Sequence, residues 1–570
     1  MRRIVRSLIA VAGALALGAA AVAAARDDTP ESLRAEAYEA AQWAIASEAA
    51  DALAKVSARF AQGDDALGRL AEERETLIGR RNALELALER LYAIEGEDGA
   101  ARRAATRTEH QAVLDRLKII EAEIDARFPA YAELTNPRAL SVRETQALLG
   151  PDEALLLVLV NPEATYVWGV SRDRIEWARA ADLGDQAMTE AVGRLRASLT
   201  IAASRGAEPG GDPLVYAGRP QATFDRVTAH RLYAQLIQPV EAVFEGKSTL
   251  MTVTTGALTT LPLAVLVTDP PSGGLEGTRW LIDRYALATL PAVSSLKALR
   301  CDLVLPADRR AGCPETTGAS ERASERPARR GPELVAFGAP SLTGPEEAGA
   351  RGAPPADSIL GEGRLADVRK LKALPSLPGA LAELEALKTR YPQAVVRTGA
   401  EATETAVRAT DAPALAQARF VVFSTHGLMA GSEMAEPGLV LTPPDQATEA
   451  DDGYLTASEA AQLRLSAEFV VLSACNTAAS DGSPGGQGLS GLARAFFYAG
   501  ARSVLVSHWE VSDAATTALI AGTFAALDQA PDDPAARARA LQTSIKAVRA
   551  HRRWVHPAYW AAFTLVGTPG

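Results

Sequence analysis

Apolar positions recur at three- and four-residue steps near the start of the chain. Tyr38, Ala41, Ile45, Ala49, Leu53, Val56 and Phe60 fall in a stretch from Glu31 to Phe60 that has neither Pro nor Gly. That period predicts an amphipathic helix, or two short ones, with small residues on the packed face. Leu70, Leu77, Leu84 and Leu91 then recur every seven residues, with Leu67 and Leu88 on the same seam and Arg74 and Arg81 interrupting it. After a Gly-containing break at 95–99 the pattern resumes at Val113, Leu117, Ile120, Ile124 and Phe128. Residues 29–135 therefore predict an antiparallel helical hairpin, either with coiled-coil character or as a plain pair packed on the next domain. Both arrangements offer a surface for a protein partner.

Past Pro137 and Gly150-Pro151 the period changes. Ala154 to Val160 is a near-continuous Leu/Val run, and Thr165 to Val170 is a second β-rich run, broken from the first by Asn161-Pro162. A strand hairpin is expected there. Helical patterns follow at 188–199 and 229–244, with further strand candidates at Leu250 to Thr254 and Trp280 to Tyr285. Residues 150–300 thus form an α/β block. Residues 301–332, rich in Arg, Ala, Glu, Gly and Pro, read as a linker, and 344–355 as a shorter one. From 333 to 570 short strands (334–337, 394–396, 420–423, 469–472, 504–507) alternate with helical stretches (380–388, 488–499, 514–527, 535–549). This alternation predicts an α/β fold, a mostly parallel sheet covered by helices.

Charge and composition narrow the function. The net charge of -11 argues against a nucleic-acid partner, which usually needs a basic face. Arg2, Arg3 and Arg6 precede an uninterrupted run of apolar and small residues from Leu8 to Ala25, and Ala21-Val22-Ala23 is a small-x-small cleavage site. Residues 1–25 therefore read either as a cleaved secretory signal or as an uncleaved membrane anchor. Either reading implies a periplasmic or secreted protein whose only membrane contact is that segment. The three cysteines are Cys301, Cys313 and Cys475. In an oxidising compartment Cys301 and Cys313 pair across their short loop and leave Cys475 free, or all three are separate thiols. No His spacing argues a metal site, and no cofactor is implied.

In parallel sheets functional residues collect just past the carboxyl ends of strands. Two strands end in reactive side chains: Phe420 to Phe423 leads through Ser424-Thr425 to His426-Gly427, and Phe469 to Leu472 through Ser473-Ala474 to Cys475. If these strands are neighbours, imidazole and thiol share one crevice, with His426 as base and Cys475 as nucleophile. Both residues are expected to be at least partly exposed. The backbone N–H groups of Gly427 and Cys475 could bind the oxyanion of a tetrahedral intermediate. Taken singly, a strand-end Cys is more often an inert buried thiol and a strand-end His a hydrogen-bonded surface group. The Gly-rich loop 481–488 lacks the Gly-Lys-Ser/Thr ending of a phosphate cradle. His508 reads as structural, and Tyr559 and Trp560 as core residues of the last strand.

These motifs carry a family resemblance. The stretches VVFSTHGLMAG (421–431), VVLSACNTA (470–478), GLSGLARAFFYAGARSVLVSHWEVSDAATTALI (488–520) and HPAYWAAFTLVG (556–567) resemble the CHAT family, as do LYAQLIQPVE (232–241) and VTTGALTTLPLAVL (253–266). The resemblance runs from about Leu155 to the C-terminus. It implies a caspase- and separase-like fold, a His426–Cys475 dyad and thiol endopeptidase action on a protein or peptide. The competing class is a silent scaffold that assembles partners through its N-terminal helices. The resemblance also implies a comparison of 150–300 with an inactive half, since Thr254-Thr255-Gly256 stands where the later half has Thr425-His426-Gly427. Many CHAT proteins carry tetratricopeptide repeats upstream; residues 29–135 would be a short, degenerate version. By resemblance to separases, Asp513 would receive a basic substrate side chain, although its position before an Ala-rich run equally fits a helix cap.

Overall fold

The computed structural model describes residue 29, residues 32–43 and 45, scattered positions between 70 and 88, and residues 97–127, 139–199, 201–202, 219–220, 223–300, 331–344, 365–409, 414–428, 437–474, 491–509, 512–530 and 533–570. The export segment, Cys301, Cys313, Cys475 and the Gly-rich loop lie outside them. Among the described residues no helix is long and apolar enough to cross a membrane.

In the N-terminal region, the described positions between 70 and 88 are helical and run antiparallel to helix α1 (Glu97–Arg127). The ion pairs set that direction, because Glu73 and Arg74 meet Arg116 and Glu121 whereas the later Arg80 meets the earlier Glu109. Leu84 packs there with Val113 and Leu117.

The rest is built on one sheet. Its strands, in chain order, are β1 (Glu153–Val160), β2 (Thr165–Ser171), β3 (Ile175–Ala180), β4 (Thr249–Thr254), β5 (Ala286–Thr289), β6 (Leu334–Pro340), β7 (Val395–Gly399), β8 (Phe420–Ser424), then β12 (Phe469–Ser473), β13 (Ser503–Ser507) and β14 (Phe563–Gly567). Between β8 and β12 a small antiparallel sheet is formed by β9 (Gly427–Leu428), β10 (Gly438–Val440) and β11 (Tyr454–Thr456). The eleven main strands lie in the order β3-β2-β1-β4-β5-β14-β13-β12-β8-β6-β7. The pairings β1/β2, β2/β3 and β13/β14 are antiparallel and the remaining ones parallel. This is the mostly parallel, helix-covered α/β fold that the alternation predicts.

Both faces of the sheet are packed, so its central strands read as unbroken apolar runs. Phe420, Val422, Phe469 and Val471 share a core with Leu384 and Leu387 of α4 (Pro378–Arg390) and Phe524 of α6 (Asp513–Gln529). Here α2 and α3 are Asp185–Leu199 and Arg226–Leu236 in the upstream block. Val421, Phe423, Val470 and Leu472 pack on the other face with Leu492 and Phe496 of α5 (Gly491–Tyr498).

Two expectations are corrected. Trp280 to Tyr285 is not a strand: Leu281–Arg284 is a short helix, and the strand is the following Ala286–Thr289. The Asp283 carboxylate accepts the Trp280 N–H at 2.9 Å, a local bond that turns the chain where the apolar pattern is too short to distinguish helix from strand. Tyr559 and Trp560 are buried, but they lie in a turn ahead of the last strand, not in it.

Candidate functional site

Strands β8 and β12 are adjacent, parallel and in register, with Phe420 opposite Phe469 and Ser424 opposite Ser473. The Thr425 N–H donates to the Ser473 carbonyl at 3.2 Å, extending the pairing one step past the end of β8. In sequence, His426 and Cys475 each follow those register partners by two residues. Cys475 itself lies outside the described residues.

His426 is held from three sides. Its main-chain carbonyl accepts from the Val440 N–H at 2.9 Å, Thr425 Oγ1 donates to the Val440 carbonyl, and the ring Nε2 lies 2.9 Å from the Pro375 carbonyl oxygen. A carbonyl can only accept, so Nε2 carries the hydrogen. In a neutral imidazole Nδ1 is then the basic nitrogen. Against expectation the residue is not exposed at all: its relative accessibility is 0 %. The Pro375 carbonyl meets its ring and β10 bonds its main chain, and neither contact is legible in the local pattern.

Gly427 is buried in β9, opposite Leu439. In an antiparallel pair bonded and non-bonded positions alternate. Val440 bonds to His426, so Gly427 occupies the non-bonded position and its N–H points away from β10.

Asp513 is the first residue of α6. Ser512 stands at the N-cap position, without a side-chain capping bond, so Asp513 lies one residue past the cap position that the sequence allowed for it. The carboxylate sits in the first turn, where the helix dipole favours it. It packs on Gly379, in the first turn of α4: a Cβ at Gly379 would lie 2.3 Å from Asp513 Cγ. The segment 375–379 therefore touches both His426 and Asp513.

His508 follows β13 and is 5 % exposed, with Nε2 3.0 Å from Thr564 Oγ1. Burial, reinforced by the Arg196 guanidinium, pushes its pKa down to about 3. It stays neutral at physiological pH, as a structural residue. Arg196 of α2 donates to the His508 carbonyl at 3.1 Å and so ties the upstream block to the loop leading to Asp513.

Two site neighbours escape the motif reading, Pro375 and Glu383. Glu383 is 0 % exposed and accepts from Ser473 Oγ at 2.9 Å. A signal for it exists: Ala380, Leu384 and Leu387 are the buried face of α4, and position 383 lies on that face by helical period.

The CHAT domain family model matches residues 226–568. The match opens at α3, so β1–β3 lie outside it while sharing its sheet. Tetratricopeptide repeat protein 28 of Mus musculus is 37% identical over 114 residues, and that of Homo sapiens 34% over 114 residues. Each alignment covers 20% of this chain, which spans 4% of the length of those relatives. Two crystal structures of the Saccharomyces cerevisiae separase-securin complex align at 10% identity, with TM-scores of 0.39 and 0.36. They cover 86% and 92% of this chain and 37% and 40% of theirs.

Proposed function

This chain belongs to the CHAT domain family, and we propose that it is a thiol endopeptidase acting through His426 and Cys475 on a protein or peptide outside the cytoplasm. The observation that carries the reading is the register of β8 and β12, because Ser424 and Ser473 pair directly and each precedes one reactive residue by two positions. The Nε2–Pro375 bond supports it further by leaving Nδ1 as the basic nitrogen.

In this mechanism His426 Nδ1 takes the Cys475 thiol proton, and the thiolate attacks the scissile carbonyl carbon. The N–H groups of Gly427 and Cys475 stabilise the oxyanion. The imidazolium then protonates the departing amine as the C–N bond breaks, leaving a thioester. Water, deprotonated by His426, hydrolyses the thioester and restores the thiol. Asp513, half-buried beside the Pro375 segment, is the carboxylate that would pair with a basic side chain before the cleaved bond.

A peptide library tests both parts. Cys475→Ala and His426→Ala should each abolish cleavage, and Asp513→Ala should remove a preference for Arg or Lys. Cleavage that persists in Cys475→Ala contradicts the enzyme. A basic preference that survives Asp513→Ala, or a wild-type preference for Asp, contradicts the pocket assignment. The competing reading, a silent scaffold, draws on the complete burial of His426 and predicts no turnover of any member of the library.

A further inference from the structure

We propose that Glu383 is a positioning residue of this site, and that helix α4, with the segment leading into it, holds the exits of the two strands that carry the proposed dyad. The inference rests on the thiol reading above. Glu383 lies on the apolar face of α4 among Ala380, Leu384 and Leu387, all buried. An apolar side chain would pack there without the desolvation cost of a carboxyl group. The group instead accepts a hydrogen bond from Ser473 Oγ at 2.9 Å. Ser473 is the last residue of β12, is itself fully buried, and faces Ser424 across the register. Two strands that are otherwise wholly apolar thus turn polar at the same step, beneath the point where the chain leaves for His426 and Cys475.

The segment that leads into the same helix reaches the histidine. Pro375, eight residues before Glu383, supplies the carbonyl on His426 Nε2. Helix α4 is fixed well enough to act as a bracket. At its start Thr517 Oγ1 donates to the Gly379 carbonyl at 3.3 Å. At its end the Arg390 Nε and Tyr391 O–H both bind Asp528 at 2.6 Å. Tyr391 also meets Phe420 and Phe524 at ring distances of 6.0 and 5.9 Å. Rigid elements carrying locked side chains hold reacting groups in place better than loops do. Glu383 fixes the exit of β12, Pro375 fixes the imidazole, and the start of α4 with the three residues before it sets the distance between them.

The test reads thiol chemistry, not peptide turnover. Alkylation of Cys475 in the full chain by iodoacetamide would be followed across pH, resolved by peptide mass so that Cys301 and Cys313 do not contribute. Glu383→Ala and Ser473→Ala should each slow alkylation at pH 7 by about tenfold, the scale of one lost hydrogen bond. The double variant should be no slower than either single one, because both remove the same contact. Glu383→Gln keeps an acceptor oxygen and should stay within about threefold of wild type. If Glu383→Ala does not fold, Ser473→Ala carries the test. A folded Ser473→Ala or Glu383→Ala variant with the wild-type profile overturns the proposal, as does additivity in the double variant. His426→Ala separates the two claims. If it shifts the profile while Glu383→Ala and Ser473→Ala do not, only the bracket fails. If it leaves the profile unchanged, the dyad fails and the bracket with it.

Discussion

Glu404 shows how a single residue can make this site depend on pH. It is 1 % exposed, and burial, reinforced by Glu459, raises its pKa to about 8 despite the Arg408 guanidinium beside it. Arg408 bridges Glu404 and Glu459, and Glu404 accepts the Asp452 N–H at 3.1 Å. The Asp452 carboxylate, its pKa also raised chiefly by burial, accepts the Tyr454 N–H, and Asp451 accepts that of Thr405. This cluster therefore braces β11, one strand of the small sheet that starts directly after His426. A folded pKa above the unfolded value near 4.5 gives stability that is full below the unfolded value and is lost as pH rises through about 8. Glu404→Gln removes that titration. Its melting temperature relative to wild type should become more favourable between pH 5 and 8, since Asp452 titrates in both proteins and drops out of the comparison. Parallel curves for the two proteins would contradict the assignment. At this scale the sequence reveals residues whose chemistry stands out at a strand tip, such as His426. It gives Glu383 only a periodic signal, on the face of Ala380, Leu384 and Leu387, and hides Glu404, because a Glu at the start of a short helix reads as a solvated position until its neighbours are known.

Among the elements, α4 and α6 meet at a contact that tolerates no side chain. A methyl group at Gly379 would lie 2.3 Å from Asp513 Cγ and 2.4 Å from its Cβ, so the strain cannot be relieved by moving the carboxylate tip alone. Helix propensity favours Ala over Gly by about 1 kcal/mol. Overpacking costs about 1–3 kcal/mol and should win. Gly379→Ala should therefore lower the urea midpoint. Asp513→Ala leaves its own Cβ at that contact and should only partly relieve the loss, whereas Asp513→Gly should restore it. A Gly379→Ala protein as stable as wild type would contradict this packing. Most elements are legible because buried parallel strands need continuous β-branched and aromatic runs, as in Phe420 to Phe423 and Phe469 to Leu472. β3 is not, since its exposed and half-buried residues alternate weakly at the sheet edge. Nor is the small sheet, whose strands are two or three residues long.

For the molecule as a whole, the sheet order is what local pattern could not supply. The sequence divides into two α/β blocks, yet their strands form one continuous sheet. The last strand, β14, makes the join, pairing antiparallel with β13 and parallel with β5. Chain order gives no hint of this, because β14 is far in sequence from β5. The same order sets β8 against β12, and on that adjacency the functional account depends. The most direct test is a covalent thiol-directed peptide probe with Arg before its electrophile, applied to the full chain. The account predicts that the probe labels Cys475 in wild type, and that labelling falls to the Cys475→Ala background in His426→Ala. Equal labelling with and without His426, or none above background in wild type, would contradict it.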